Sequence, residues 1–203
     1  YIAGSALTNI GIVYFNLGYY DKAKENYLKA LKIRKKIGDI KCVGYSYISI
    51  GNIYIRNGDY EQSLIYYKKS LKILEDIGNK YGMGFCLGNI GSAHTLMGNY
   101  KRALLYYEKS QKLRKKSGEK LGIGSNYNNI GILYYNIDDF TQAKRNLKKS
   151  LIIQKEFTKN PEDLLETLVY LALSYKNMNI VYDIKKLPKL SLKKENIEFD
   201  LNY

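Results

Sequence analysis

The chain has 203 residues, 45% of them hydrophobic, and carries 33 Lys or Arg against 19 Asp or Glu, for a net charge of +14. That content can bury a continuous core, while its uncharged stretches are too interrupted by Asn, Gly, Ser and Tyr to span a bilayer. Cys42 and Cys86 lack metal-ligand spacing and read as two small buried thiols, which favours a reducing, cytoplasmic compartment.

The first predicted helix occupies residues 4–17, where Leu7, Ile10, Tyr14 and Leu17 recur at helical spacing. Gly18 ends it in a left-handed turn, and a second helix over 21–37 places Ala23, Tyr27, Ala30 and Leu31 on one face. Gly38 closes that helix before the polar cap Asp39. The phrase then restarts, with Gly11, Gly51, Gly91 and Gly131 spaced by 40 residues inside Asn-Ile-Gly-Ile-Val-Tyr and its copies. Further helices are therefore expected over 44–57 and 61–77, 84–97 and 101–117, and 124–137 and 141–157. Asp59, Asn79 and Asn99 are cap candidates, and Asp138 in the place of the fourth turn glycine predicts a strained turn.

Asn160-Pro161-Glu162-Asp163 reads as another helix start, and Leu164, Leu165, Leu168, Leu171, Ala172 and Tyr175 continue it to Asn177. Leu171 stands where glycine stood before, so this helix is expected to cap the stack. Residues 180–187 form at most a short partner helix before Pro188. The tail 191–203 alternates at Ile197, Phe199 and Leu201. It reads as the first strand of a following domain, a structureless end, or a segment folding back on the array to inhibit or dimerise it. The chain starts at Tyr1 directly in the repeat phrase and is read as a piece of a longer protein, from which a targeting signal could have been left out.

With turns this short, consecutive helices must run antiparallel, and one hairpin exposes an apolar face that only stacking buries. Residues 1–178 thus form one array, with repeats 4–41, 44–81, 84–121 and 124–158, a cap over 161–177 and the tail 179–203. The first-helix segments hold one formal charge, Arg56, whereas the second-helix segments hold 22 Lys or Arg against seven acids. One helix series is neutral and the other carries the excess charge.

The residues Leu7, Ile10, Gly11, Tyr14, Gly18, Tyr20, Ala23, Tyr27 and Ala30 resemble the phrase of tetratricopeptide repeats, and the three later copies repeat them in phase. Departures are His94, Asp138 and the missing proline, whose place is taken by Lys35, Glu75, Lys115 and Lys155. The unit is longer than the commonest version and is similar to the 40-residue subtype of spindle-orientation adaptors and bacterial signalling proteins. The resemblance implies an all-α, right-handed superhelical solenoid of antiparallel helix pairs, with first helices lining a concave groove and second helices coating the outside.

Under that geometry the groove carries Asn9, Ile12, Asn16, Tyr45, Asn52, Arg56, Phe85, Asn89, Thr95, Asn129, Ile132, Tyr135 and Asn136. Further slots are Ser5, Thr8, Phe15, Ile48, Ser49, Ile55, Gly88, Ser92, Leu96, Ser125 and Asn128. A row of carboxamides can hold an extended peptide backbone, with Tyr45, Phe85 and Tyr135 as apolar pockets. The same asparagines could instead bond a neighbouring helix, and recurrence alone does not separate the two roles. Asn52 and Asn89 match the asparagines of the family's carboxylate clamp, but Ile48, Ser125 and Asn129 fill its cationic slots, so no terminal carboxylate is expected.

The reading is a protein-interaction module that binds a peptide segment or partner helix, with no catalytic residues, metal or cofactor. His94 has no Cys, Asp or Glu beside it to build a site, and the glycines close helices without a following Gly-Lys-Ser or Gly-Lys-Thr. One alternative is a regulatory or oligomerising segment of a larger signalling protein fused to a kinase, cyclase or ATPase. Another is attraction of nucleic acid or anionic membrane to the basic outer face, where the runs 32–36 and 112–116 sit. No aromatic stripe interleaves these lysines as a single-strand binder needs, so sequence-specific readout is not expected, and a solvated face is the simpler account. Self-association through the tail is a further possibility.

Overall fold

The computed structural model describes residues 2–157 and 164–178, which form nine helices. They are α1 (Ile2–Asn16), α2 (Tyr20–Lys36), α3 (Ile40–Arg56), α4 (Tyr60–Asp76), α5 (Lys80–Leu96), α6 (Tyr100–Ser117), α7 (Lys120–Asn136), α8 (Phe140–Phe157) and α9 (Leu165–Asn177). The helix start expected at 160–163 and the tail 179–203 lie outside the described residues.

Each turn is built the same way. Gly18, Gly38, Gly58, Gly78, Gly98 and Gly118 adopt φ of 64–79°, and the following amide bonds back five residues, as in Tyr19 N–H to the Tyr14 carbonyl at 2.9 Å. Asp138 takes the same left-handed conformation at φ 61°, the strained turn expected of it. Asp39, Asp59 and Asn79 cap α3, α4 and α5 by accepting from the backbone N–H groups of Cys42, Gln62 and Gly82. Asn99 does not: its side chain makes no cap bond at α6.

The periodic glycine is explained by a ring. A Cβ on Gly11, Gly51 or Gly91 would lie 2.5–2.6 Å from Cε1 of Tyr27, Tyr67 or Tyr107. The tyrosine of the second helix therefore lies flat on the glycine of the first, and no larger residue fits. In the fourth repeat Leu147 occupies the same place over Gly131. Ala23, Ser63, Ala103 and Ala143, with Ala30, Ser70, Ser110 and Ser150, are fully buried at the other close approaches.

Every helix packs on its chain neighbours, and second-neighbour packing joins odd-numbered helices: α3 with α5, α5 with α7, and α7 with α9. Elements on the inner side of a curved stack are the ones that approach each other, so the nearly uncharged helices line the inside. The array is an all-α superhelical repeat fold. Ile50 and Ile53 are buried by the preceding hairpin, whereas the equivalent Ile10 and Val13 of α1, which has no such hairpin among the described residues, are exposed. At the other end Leu164, Leu168, Leu171 and Tyr175 pack α9 on the stack, while Leu165 and Ala172 are exposed. Leu171 can replace glycine because no tyrosine of a following helix lies on it among the described residues.

Two further expectations change. Cys86 is buried, and burial pushes its thiol up to about 12, but Cys42 is only half-buried; both are free. The basic runs are not wholly solvated: Arg34 and Arg114 turn inward while the lysines beside them stay exposed.

Candidate functional site

None of the thirteen side chains assigned to the groove is buried, as an interaction surface requires. Four of them, Ile12, Tyr45, Asn52 and Phe85, come together with Phe15, Ile48 and Ser49 around a concavity of about 240 Å³ between α1, α3 and α5. No charged residue lines it. Arg56 lies at its rim, with its guanidinium 5.7 Å from the centre of the Phe15 ring. The eighth lining residue is Tyr27, which belongs to a second helix and which an assignment of the groove to first helices alone misses. The recurrence of Tyr27, Tyr67 and Tyr107 was the signal that could have found it.

These tyrosines reach from α2, α4 and α6 to the concave side. The Tyr67 hydroxyl donates to Asn52 Oδ1 at 2.7 Å, and the Tyr107 hydroxyl meets Ser92 Oγ and Thr95 Oγ1, each at 3.2 Å. The asparagine row joins this network from the next repeat. Asn89 Nδ2 donates to Asn52 Oδ1 and Asn129 Nδ2 to Ser92 Oγ, both at 3.5 Å. These weak bonds tie adjacent first helices together, so Asn89 and Asn129 have a role inside the stack and keep further donor and acceptor capacity toward the groove. Asn9, in the first described repeat, is exposed, as are Asn16 and Asn136 at helix ends.

Three of the further slots face elsewhere. Ile48, Gly88 and Asn128 are buried between repeats, with Ile48 reaching the concavity only as part of its wall. Asn128 donates to Glu166 Oε2 at 2.7 Å and accepts from the Thr167 hydroxyl at 2.8 Å, which locks α7 to α9. Tyr135 packs edge-on against Phe140 and Tyr170, and its hydroxyl accepts from Asn177. The fourth repeat therefore turns part of its assigned groove toward α9, and the open concavity belongs to the first three.

The outer face carries the charge. Ion pairs among the described residues are Lys29–Glu25, Arg114–Glu119 and Lys120–Glu156. Many lysines instead cover tyrosine rings of their own stack, among them Lys24 over Tyr54 at 4.5 Å and Lys69 over Tyr66 at 5.1 Å. A hydrogen bond donated to the Tyr54 oxygen holds the Lys24 ammonium further in its charged form. Arg34 donates to Ser46 Oγ at 2.7 Å, and buried Arg114 stands 3.6 Å from Glu119. Burial works against both charges of that pair, raising the Glu119 carboxyl and lowering Arg114.

His94 is buried on α5, stacked on Tyr106 at 5.3 Å, with Nδ1 lacking a hydrogen bond. Burial first, then Arg102 and Lys68, holds it below its ordinary pKa. Among the described residues no group of three His, Cys, Asp or Glu could hold a metal, and no helix is long and apolar enough to cross a membrane.

Comparison with known proteins bears on this arrangement. The profile described as Tetratricopeptide repeat matches residues 2–75 and 43–116, and a second of the same description matches 124–156. No curated protein sequence matches. Among solved structures, BtubC (BKLC) from P. vanneervenii superposes with a TM-score of 0.72 at 22% identity, covering 85% of this chain and 72% of that one. A Rap protein complexed with Competence and Sporulation Factor gives 0.76 at 17% identity, covering 85% and 48%. A signal transduction ATPase with numerous domains and a tetratricopeptide repeat sensor, from Pyrococcus horikoshii, gives 0.69 at 22%, covering 85% and 27%. At these identities the likeness is one of fold, and this chain spans less than half of the last two. The matched segments cover more than half of the sequence with its four phased copies, and the chain belongs to the tetratricopeptide repeat family.

Proposed function

We propose that this array is a protein-interaction module whose concave face binds an extended segment of a partner protein. The observation that carries the reading is the uncharged concavity between α1, α3 and α5, where apolar walls stand beside the amide of Asn52. Apolar pockets with a few placed polar groups suit a side chain anchored next to a peptide backbone. A structurally similar Rap protein was solved complexed with Competence and Sporulation Factor, which supports a binding role for the fold. The candidate residues are those thirteen assigned above, with the first three repeats supplying most of the surface.

The test is affinity capture at low and high salt, using the wild type and the Asn9→Ala, Asn89→Ala, Asn129→Ala variant. A groove with one charge, Arg56, keeps its partner in high salt, and the folded variant loses it. A folded variant that retains every partner refutes the role of the asparagines. The excess of Lys and Arg on the second-helix segments favours a second reading, attraction of an anionic polymer or surface, whose affinity falls steeply with salt. Longer relatives such as the multidomain ATPase favour placing the array as the sensing part of a larger signalling protein.

A further inference from the structure

In the second and third repeats the tyrosine lying on the glycine spends its hydroxyl inside the chain, on Asn52 or on Ser92 and Thr95. In the fourth, Leu147 has no hydroxyl, and Ile132 holds the position of Asn52 and Ser92. The first repeat breaks this matching. Tyr27 sits on Gly11 with nearly the same spacing as Tyr67 on Gly51, 2.5, 2.7 and 3.2 Å against 2.5, 2.7 and 3.1 Å. Its hydroxyl therefore emerges at the level where Asn52 stands in the next repeat, but that level holds Ile12, and Phe15 stands where Thr95 does. Tyr27 is only 4% exposed and lines the floor of the concavity. Burial raises its pKa, so the hydroxyl stays protonated and available as a donor.

The Tyr27 hydroxyl is not among the buried polar atoms left without a partner; it opens onto the concavity, where a ligand acceptor can take the place of water. We infer that the concavity between α1, α3 and α5 is an anchor site for a neutral peptide segment, in which an apolar side chain fills the space between Ile12, Tyr45 and Phe85 and a backbone carbonyl accepts from the Tyr27 hydroxyl. The inference rests on the groove-binding reading above and adds to it the ligand's chemistry and the residue that reads it. No charge lines the floor, so an ionised side chain would lose its water there with nothing to replace it.

The probe is N-acetyl-leucine methylamide, titrated into the full chain labelled at isoleucine methyl groups, with Ile12 and Ile48 reporting. A probe of about 13 non-hydrogen atoms is expected to bind with a dissociation constant on the order of 1 mM. The expected result is saturable shifts at Ile12 and Ile48 in the wild type and about fivefold weaker binding to Tyr27→Phe. Tyr107→Phe, remote from the concavity, should bind as the wild type does. Thermal unfolding adds a reading free of ligand: Tyr27→Phe keeps the wild-type midpoint or exceeds it, whereas Tyr67→Phe and Tyr107→Phe fall below it.

Equal binding by Tyr27→Phe, or a lowered midpoint in that variant, overturns the inference and leaves groove binding by other residues standing. Shifts confined to Ile33 of α2 and Ile65 and Ile73 of α4 overturn both. N-acetyl-leucinate binding more than tenfold tighter than the amide would give control to Arg56 and overturn the assignment to Tyr27. Probe-dependent shifts at Ile197 would place the chain's own tail in the concavity, and concentration-dependent shifts without probe would place a second copy there; either overturns the assignment to a separate peptide.

Discussion

A methyl group added by Gly51→Ala would stand 2.5 Å from Cε1, 2.7 Å from Cδ1 and 3.1 Å from Cζ of Tyr67, well inside the roughly 3.5–4.0 Å at which carbon atoms attract. Alanine gains about 1 kcal/mol over glycine in a helix interior. Against this, a fully buried ring must move, at a cost of about 1–3 kcal/mol for overpacking. Moving it also strains the 2.7 Å bond from the Tyr67 hydroxyl to Asn52, worth about 1 kcal/mol. The balance is a loss of about 1–3 kcal/mol, or about 2–12 °C in the unfolding midpoint of a chain this size. Gly4→Ala is the control, because its nearest neighbours, Arg34 Cγ and Nε, would lie at 3.6 and 3.7 Å, an ordinary contact. That variant gains up to about 1 kcal/mol. Thermal and urea unfolding followed by circular dichroism reads both, and a Gly51→Ala protein as stable as Gly4→Ala would refute the account of the 40-residue glycine.

His94 supplies a pH dependence. Its folded pKa lies below the ordinary value of 6.5, so the unfolded chain takes up the proton first as pH falls. The associated stability is present above about pH 6.5 and is lost as pH falls through the folded pKa. His94→Tyr, the residue of the other three repeats, should reduce the fall in urea midpoint between pH 7.5 and pH 5; an unchanged fall would reject this role for the histidine. Arg114→Leu strands the carboxylate of Glu119 in a half-buried site and should cost about 3–5 kcal/mol in chemical denaturation. Adding Glu119→Asn recreates the Leu74 and Asn79 combination of the second repeat and should recover most of that loss; a double variant no better than the single one contradicts the pairing.

Fold and repeat boundaries were legible because glycine and the apolar positions repeat in phase over four copies, and because the turn glycines have only one conformational use here. The inner and outer faces could be read from charge, since Arg56 alone marks the first-helix series. What could not be read were contacts that cross between series. Tyr27 looks like any core tyrosine until its ring is seen to pass over Gly11 to the concave side. Arg34 and Arg114 sit in runs of lysine and turn inward because Ser46 and Glu119 await them on the next hairpin, a pairing set by the stacking offset. Asn128 shares its residue type with the neighbouring Asn129 yet faces α9, about 100° further round the helix.

Each of the first three repeats sets one tyrosine against a facing position on its own first helix, and exchanging that facing residue switches the local surface between silent and reactive without touching the stacked interior. Polar at Asn52 or Ser92, it absorbs the hydroxyl; aliphatic at Ile12, it releases it. A chain of duplicated units can in this way acquire or abandon contact points one unit at a time, each change confined to the inner wall, while the architecture that displays them stays constant.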